Sequence, residues 1–448
     1  MTAAPPRAAV PFAGALRFWL KLGCISFGGP AGQIAIMHRE LVEERRWISE
    51  KRFLHALNYC MVLPGPEAQQ LATYIGWLMH GVRGGLAAGG LFVLPSLILL
   101  IALSWLYVRY AQLPLVAGLF AGIKPVVVAV VVFAAWRVAV RTLHTKLLSV
   151  IALLSFAAMA SGRVPFPAVL ALAALAGWVG SHQLAAAIAR KGHAASASHA
   201  HLRALIDDDT PTPPHAVFRS WRLATVLLIG VGGGAAVAAM VWLHQPGGPL
   251  SHMAAFFTQA ALLTFGGAYA VLPYVFQGAV HQYQWLSAGQ MIDGLALGES
   301  TPGPLIMIVA FVGFLGGWNA AAGDVNTAWP LAVAGACVAT FFTFLPSFLF
   351  IFAGAPLVER TRSTSFLAAP LTAITAAVVG VIASLAVVFA WHVWWPRASA
   401  AQLFSGGVEW FALVLSALAA FALFRLHWGV MPVIGAGALA GALRALLA

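Results

Sequence analysis

Thirteen long apolar segments run along this chain, and they constrain its fold more than any other feature of the sequence. A helix needs about 20 apolar residues to cross the hydrocarbon core of a bilayer, whereas about a quarter of the residues of a soluble domain are charged. Of the 448 residues here, 61% are hydrophobic and 8% are charged. This composition excludes a soluble enzyme, a disordered protein and a nucleic-acid-binding domain, and it predicts an all-α polytopic membrane protein. The segments are 12–37, 53–80, 84–107, 114–140, 147–161, 166–189, 221–243, 251–277, 289–318, 329–353, 368–395, 408–424 and 429–447.

The charge and cysteine content fit the same class of protein. The net charge of +12 is expected for cytoplasmic loops that face anionic lipid, so membrane lipid rather than nucleic acid is the predicted partner of the basic residues. Cys24, Cys60 and Cys337 lie far apart within apolar segments. We therefore expect neither a disulfide framework nor a metal site, and the opening residues predict no cleaved signal peptide.

The chain contains an internal repeat. At a constant offset of 238, residues 18–66 align without a gap to 256–304, and the identical residues include Gly-Gly, Trp and Pro-Gly-Pro. The loop 38–52 carries five basic residues, whereas its counterpart 276–290 carries none. Because basic loops stay in the cytoplasm, this asymmetry favours two homologous repeats of inverted orientation.

A polar segment divides the two repeats. Residues 190–220 are rich in Ala, Ser, His and Pro, and they include four histidines and Asp207–Asp209. These side chains are able to bind a metal, but their irregular spacing favours a flexible, solvated linker. The predicted organisation is an N-terminal repeat at 1–189, this linker at 190–220, an additional connecting helix at 221–250 and a C-terminal repeat at 251–448.

Each repeat carries Pro-Gly-Pro inside an apolar segment, at 64–66 and at 302–304. Proline ends one helix and is suited to the first turn of another, so new helices should start near 66–80 and 304–317. Each segment is then either a broken helix or a re-entrant hairpin. The start of a helix exposes unpaired N–H groups and attracts anions, and two inverted halves would aim two such starts at one point. The alternative is a purely structural kink. The candidate binding residues are Pro64, Gly65, Pro66, Pro302, Gly303 and Pro304.

Adjacent glycines form a second repeated motif, at Gly28-Gly29 and Gly266-Gly267. Glycine pairs weaken a helix and allow a ligand to approach the backbone. They also allow two helices to pack closely in a membrane. The sequence leaves both interpretations open.

Several polar side chains lie within the apolar segments, where charge is costly unless it is paired or hydrated. Lys21 and Lys124 would provide cations for an anion pathway, although Lys21 is also able to reach the membrane interface. Glu67 and Glu299 flank the Pro-Gly-Pro motifs and are candidate proton carriers, although Glu67 could merely stabilise the start of a helix. Neutral ligands could be supplied by Gln69 and Gln70.

The chain resembles the chromate ion transporter family, in its long two-domain form, over roughly 12–140 and 251–395. The runs that carry the resemblance are SFGGPAGQIAIMHRELVEERRWIS, LPGPEAQQLATYIGWLMHGVRGG, LTFGGAYAVLPYV and ESTPGPLIMIVAFVGF. The positions that match the family motifs are Gly28, Gly29, Pro64, Gly65, Pro66, Glu67, Gln69, Gln70, Gly266, Gly267, Glu299, Pro302, Gly303 and Pro304. One departure is Ala268, which stands where the first half has Pro30.

The resemblance implies a multi-pass protein of the bacterial inner membrane that exports chromate and confers chromate resistance. Sulfate has a similar shape and charge, so it is expected to compete or to be carried. We predict a secondary transporter coupled to protons or to the membrane potential, with no enzymatic activity, cofactor or metal. An uncoupled anion channel and a sulfate transporter stay open as alternatives, and a homodimer is one of the open oligomeric states. An intramembrane enzyme is disfavoured because the spans lack a cluster of acids or histidines, and Lys21 and Lys124 disfavour a cation exporter.

Overall fold

The computed structural model describes residues 10–27, 29–181, 204–207, 210, 213–244, 246–321, 325–359, 368–397 and 406–447. Within these ranges the regular elements are helices, accompanied by one isolated β-bridge between Ile48 and Ile206. Six of the helices in this part of the chain are long and apolar enough to cross a membrane. The predicted all-α, multi-pass membrane architecture is confirmed.

The helices fall into two series separated by one additional helix. The first series is α1 Phe12–Ile25, α2 Gly29–His38, α3 Glu50–Val62, α4 Glu67–Tyr110, α5 Pro114–Thr142, α6 Lys146–Ala160 and α7 Phe166–Val179. The additional helix is α8 Ser220–His244. The second series is α9 Pro249–Leu262, α10 Ala268–Phe276, α11 Ala288–Ser300, α12 Ile308–Ala320, α13 Val325–Val358, α14 Ala368–Trp394, α15 Trp410–Phe424 and α16 Val430–Leu447.

The internal repeat is confirmed at the level of single residues. A π-helical turn follows α2 at Arg39–Glu44, and another follows α10 at Gln277–Gln282. A left-handed residue comes next in each half, Arg46 with φ 55° and Gln284 with φ 53°. All of these features recur at the offset of 238 that the sequence alignment gives.

Both Pro-Gly-Pro motifs interrupt the helices, as predicted. In the first half, α3 ends at Val62 and α4 begins at Glu67. The rings of Tyr59 and Tyr74 lie 5.9 Å apart, whereas 15 residues of straight helix would separate them by about 22 Å. The chain therefore reverses at the motif, so α3 and the start of α4 form a helical hairpin.

The second hairpin has the same form. Asn319 at the end of α12 donates a hydrogen bond of 2.8 Å from Nδ2 to the carbonyl oxygen of Trp285, just before α11. The arm at the start of α4 ends at a kink, where His80 and Gly81 leave helical geometry. Each arm of these hairpins is therefore about 20 Å long, which is shorter than a hydrocarbon core of about 30 Å. Of the two alternatives left by the sequence, the structure has the hairpin rather than an in-line broken helix.

The tip of each hairpin is bound by the other half of the protein. The amide of Gly65 donates to the carbonyl oxygen of Thr264 at 2.7 Å, and the amide of Gly303 donates to that of Ser26 at 2.8 Å. These two bonds are equivalent at the offset of 238. Buried amides need such partners, so each tip depends on the break between the first two helices of the opposite repeat.

The two halves also interlock away from the tips. Helix α5 packs against α14, α15 and α16, while α6 and α7 pack against α14. The contact of α5 with α16 is made through small residues: a Cβ atom on Gly122 would lie 2.0 Å from the carbonyl oxygen of Gly437. Close backbone packing of this kind is how helices associate in lipid.

The described part of the linker is bound to the helices, so the expectation of a flexible, solvated segment is wrong for it. Ile206 donates its amide to the carbonyl of Trp47 at 3.0 Å and accepts from the amide of Ser49 at 2.9 Å. His215 Nε2 lies 2.9 Å from the carbonyl oxygen of Trp77. The remaining linker residues proposed as metal ligands, His193, His199, His201, Asp208 and Asp209, lie outside the described residues.

We expect Gly65→Ala and Gly303→Ala to lower the melting temperature of the purified protein. Both glycines have positive φ, +126° and +107°, and a Cβ would lie 2.4 Å from Ser347 Oγ at Gly65 and 2.6 Å from Ser96 Cβ at Gly303. Backbone strain of this kind costs about 1–3 kcal/mol.

The matched control is Gly90→Ala, because Gly90 is helical and a Cβ there would meet nothing within 4 Å. Alanine favours the helix by about 1 kcal/mol, so this variant should melt at or above the wild-type temperature. Equal melting temperatures for all three variants would contradict the importance of the tips.

Candidate functional site

A cavity of about 650 Å³ lies between the two halves. The first half contributes the first turn of α2, one side of α3 and the residues around Arg137 in α5. The second half contributes the run Gly266–Tyr269 and Glu299. Among the residues predicted for the site, those that line this cavity are Gly29, Glu67, Gly266, Gly267 and Glu299.

Two helix starts, one from each half, line this cavity. Helix α2 begins at Gly29, with φ +72°, and α10 begins after Gly267, with φ +100°. Positive φ at these positions favours glycine, which explains the repeated Gly-Gly motif; Gly28 itself lies outside the described residues. No side chain caps α10 at Gly267. The positive ends of both helix dipoles therefore reach the same cavity, where they favour an anion.

Three basic side chains line the cavity. His38 is paired with Glu43 at 3.1 Å and with Glu50 at 2.5 Å. Arg141 has interactions of its own. Arg137 is half-buried and makes no ion pair or hydrogen bond with the part of the chain that the structure describes. Sequence reasoning missed Arg137 because a cation near the end of a span is normally an interface anchor.

The two predicted proton carriers share the cavity although they come from different halves. Glu67 is the first residue of α4, and Glu299 is the last but one of α11. The hydroxyl of Tyr269 donates a hydrogen bond to Glu299, and the charge of Arg137 acts on the same carboxylate. Within the described ranges, Glu67 receives no hydrogen bond at its side chain. Two carboxylates that line one cavity are groups able to bind and release protons.

The two predicted lysines are paired with carboxylates outside the cavity lining. Lys21 Nζ lies 3.0 Å from Glu40 Oε1, and its side chain is 53% exposed. Lys124 Nζ lies 3.3 Å from Asp293 Oδ2, which also accepts a hydrogen bond of 2.8 Å from Tyr107. Asp293 is buried, so Lys124 and Tyr107 of the first half neutralise and bind an acid of the second.

The Pro-Gly-Pro residues and the two glutamines do not line the cavity. The amides of Gly65 and Gly303 are used by the opposite half. Gln70 Nε2 donates to the carbonyl of Pro64 at 2.7 Å, and Gln69 Nε2 donates to Thr73 Oγ1 at 2.9 Å. Gln70 thereby stabilises the first hairpin tip, whereas Gln69 bonds within α4. The starts of α2 and α10, which follow the Gly-Gly motifs, border the cavity, and α4 reaches it through Glu67.

Comparison with known proteins gives the same division into two repeats. Residues 14–178 and 251–442 each match the family described as chromate transporter. The chain is 34% identical over 368 residues to a chromate transport protein of Pseudomonas aeruginosa, covering 81% of this chain and 77% of that one. It is 30% identical over 379 residues to a probable chromate transport protein of Synechococcus elongatus, covering 83% of each. No solved structure matches the chain.

We expect Lys124→Met to lower the melting temperature, because it leaves the buried carboxylate of Asp293 without its cation. Breaking a buried ion pair costs about 3 kcal/mol or more, and partial exposure of the lysine should reduce that figure. The double variant Lys124→Met/Asp293→Asn should recover much of the loss, and thermal unfolding in detergent measures the difference.

Lys21→Met is the control. Glu40 keeps a second cation, since Arg45 Nε lies 3.1 Å from its other oxygen, and half-exposed pairs contribute only about 0–1 kcal/mol. If the double variant loses as much stability as Lys124→Met and Asp293→Asn lose together, the two side chains are not coupled.

Proposed function

The chain belongs to the chromate transporter family, and on that premise we propose that it is a secondary active transporter that exports chromate across the bacterial inner membrane. The observation that supports this proposal best is the convergence of two helix starts, one from each repeat, on a single cavity. Such a site at the junction of two repeats is accessible alternately from either side when one repeat moves against the other. We propose that the repeats are inverted, as their loop charges indicate.

Chromate is a tetrahedral dianion, and the site offers what such an ion needs. Backbone N–H groups at the starts of α2 and α10 would bind its oxygens, and the helix dipoles would favour its charge. The cavity of about 650 Å³ is much larger than a five-atom ion, so the ion would keep part of its water. Backbone amides and helix dipoles recognise the charge and shape of an ion rather than its central atom. Sulfate, which has a similar shape and charge, should therefore compete with chromate.

The hairpin tips would serve the same site indirectly. Pro64–Pro66 and Pro302–Pro304 anchor each hairpin to the opposite repeat through the Gly65 and Gly303 amides. They would thereby fix the positions of Glu67 and Glu299 at the cavity. Gln70 would support the first tip through its bond to the Pro64 carbonyl, and Gln69 would support the start of α4 through its bond to Thr73.

The membrane potential is the energy source that this site supports for export. Moving one charge through the membrane potential is worth about 2.3 kcal/mol per 100 mV, so an inside-negative potential drives a dianion outward with twice that energy. A carboxylate beside a dianion is repelled unless it is protonated. Glu67 or Glu299 would therefore bind a proton when the ion binds and release it when the ion leaves. A proton bound in this way travels outward with the ion, so one net negative charge remains for the potential to drive, while the inward proton gradient opposes export.

Uptake of labelled chromate into everted vesicles tests the proposed function, because uptake there corresponds to export from the cell. We expect accumulation against a chromate gradient when the vesicles are energised, and inhibition by excess sulfate. Collapsing the proton gradient and the membrane potential separately shows which of the two drives chromate uptake. Downhill flux alone would favour the uncoupled channel, accumulation of sulfate without chromate would favour a sulfate transporter, and no flux above empty vesicles would contradict transport.

We expect Glu67→Gln and Glu299→Gln each to lower energised export without preventing membrane insertion, since each removes one protonatable group from the cavity. The measurements are chromate uptake and the amount of protein in the membrane. Glu44→Gln is the control, because Glu44 is 55% exposed and pairs with Arg39. Energised export at the wild-type rate, with the wild-type dependence on pH, by both cavity variants would contradict the assigned coupling role.

A further inference from the structure

Arg137 is the feature of the cavity that the helix starts and the hairpins do not explain. It projects from α5 of the first half into a space that also contains Glu299 of the second. Burying part of a guanidinium without a partner is unfavourable in a membrane protein. In the described part of the chain, no carboxylate lies within ion-pair distance of Arg137.

Glu299 is the carboxylate on which the charge of Arg137 acts. Its nearer partner is the Tyr269 hydroxyl, which donates to it from the first turn of α10. Tyr269 therefore orients the carboxylate, while Arg137, which lines the same cavity, offsets part of its charge from beyond ion-pair distance. The guanidinium keeps its five N–H donors for something else, and its planar fork matches two oxygens of a tetrahedral oxyanion.

The other cations that line the cavity among the described residues are already paired, and Glu67 is a second carboxylate there. His38 is held between Glu43 and Glu50, and Arg141 has its own interactions. Glu67 borders the cavity from the start of α4. Arg137 is thus the cation best placed to change partners.

We propose that Arg137 binds the transported oxyanion and that Glu299 is its counterion in the empty cavity. The inference rests on the proposed function and specifies its coupling step. When the dianion occupies Arg137, the carboxylate of Glu299 loses its balancing charge and faces a negative neighbour, so it takes up one proton from solution. When the ion leaves, Glu299 releases that proton and again balances Arg137. One arginine thus couples oxyanion binding to protonation, with no bond made or broken except to the proton.

The test is equilibrium binding of labelled chromate to the full-length protein in lipid nanodiscs, together with the number of protons taken up from a weakly buffered solution. In the wild type we expect affinity to fall with rising pH, by up to about tenfold per pH unit for one coupled proton. Arg137→Gln should weaken binding by about tenfold or more, and Arg137→Lys should keep part of the affinity because the charge remains while the fork is lost.

Glu299→Gln should bind chromate at least as tightly as the wild type and take up close to one proton fewer per ion. Chromate itself protonates in weakly acidic solution, and this background is common to all variants, so the difference in proton count isolates Glu299. Glu67→Gln should still take up the proton of Glu299 when chromate binds. Adding Glu299→Gln to this variant should again remove close to one proton per ion. Arg83→Gln, at an exposed position of α4, is the control for loss of a positive charge.

Wild-type affinity in Arg137→Gln, or an unchanged proton count in Glu299→Gln, would overturn the inference while leaving chromate transport intact. A wild-type protein that binds neither chromate nor sulfate would overturn the proposed function and the inference together. Melting temperatures of all variants distinguish a lost ligand contact from a misfolded protein. If Arg137→Gln is unstable, the chromate affinity of Arg137→Lys tests the same contact.

Discussion

The reciprocal hydrogen bonds at the hairpin tips are the constraint on which the rest of the structure depends. Gly65 donates to Thr264, and Gly303 donates to Ser26, so each repeat completes the backbone bonding of the other. Irregular backbone at membrane depth survives only where protein or water satisfies it. Because the bonds cross between the repeats, neither hairpin is expected to be stable alone, and the breaks that shape the cavity exist only in the assembled pair.

The placement of charge follows from the same low-dielectric environment. Lys124 is neutralised by Asp293 across the two halves, and Lys21 by Glu40. Charges that are paired in this way stabilise the packing and are unavailable to an ion. The groups left at the cavity are Arg137, the carboxylates of Glu67 and Glu299 and the starts of α2 and α10, and these are the groups that the proposed anion site uses.

Much of this site could be predicted from the sequence, because its motifs depend on local backbone chemistry. The helix breaks at Pro-Gly-Pro and the pairing of two such motifs follow from proline and glycine alone. The sequence did not show which of the predicted helix starts would border the cavity. Both Pro-Gly-Pro and Gly-Gly precede a helix. The Gly65 and Gly303 amides, however, already donate hydrogen bonds to carbonyl oxygens of residues about 200 or more positions away. Sequence reasoning proposed Lys21 and Lys124 and missed Arg137, because a linear pattern does not show which cation has a partner.

The sequence by itself determined the membrane environment, the two-fold repeat and the positions where helices stop. Those properties depend on composition, periodicity and the backbone preferences of single residues. Only the tertiary structure decided that the interrupted segments fold back as hairpins, that the starts of α2 and α10 border one cavity, and that Glu67 and Glu299 share it with Arg137. These outcomes depend on which distant groups satisfy each amide and each charge, and that pairing is established only when the two repeats pack together.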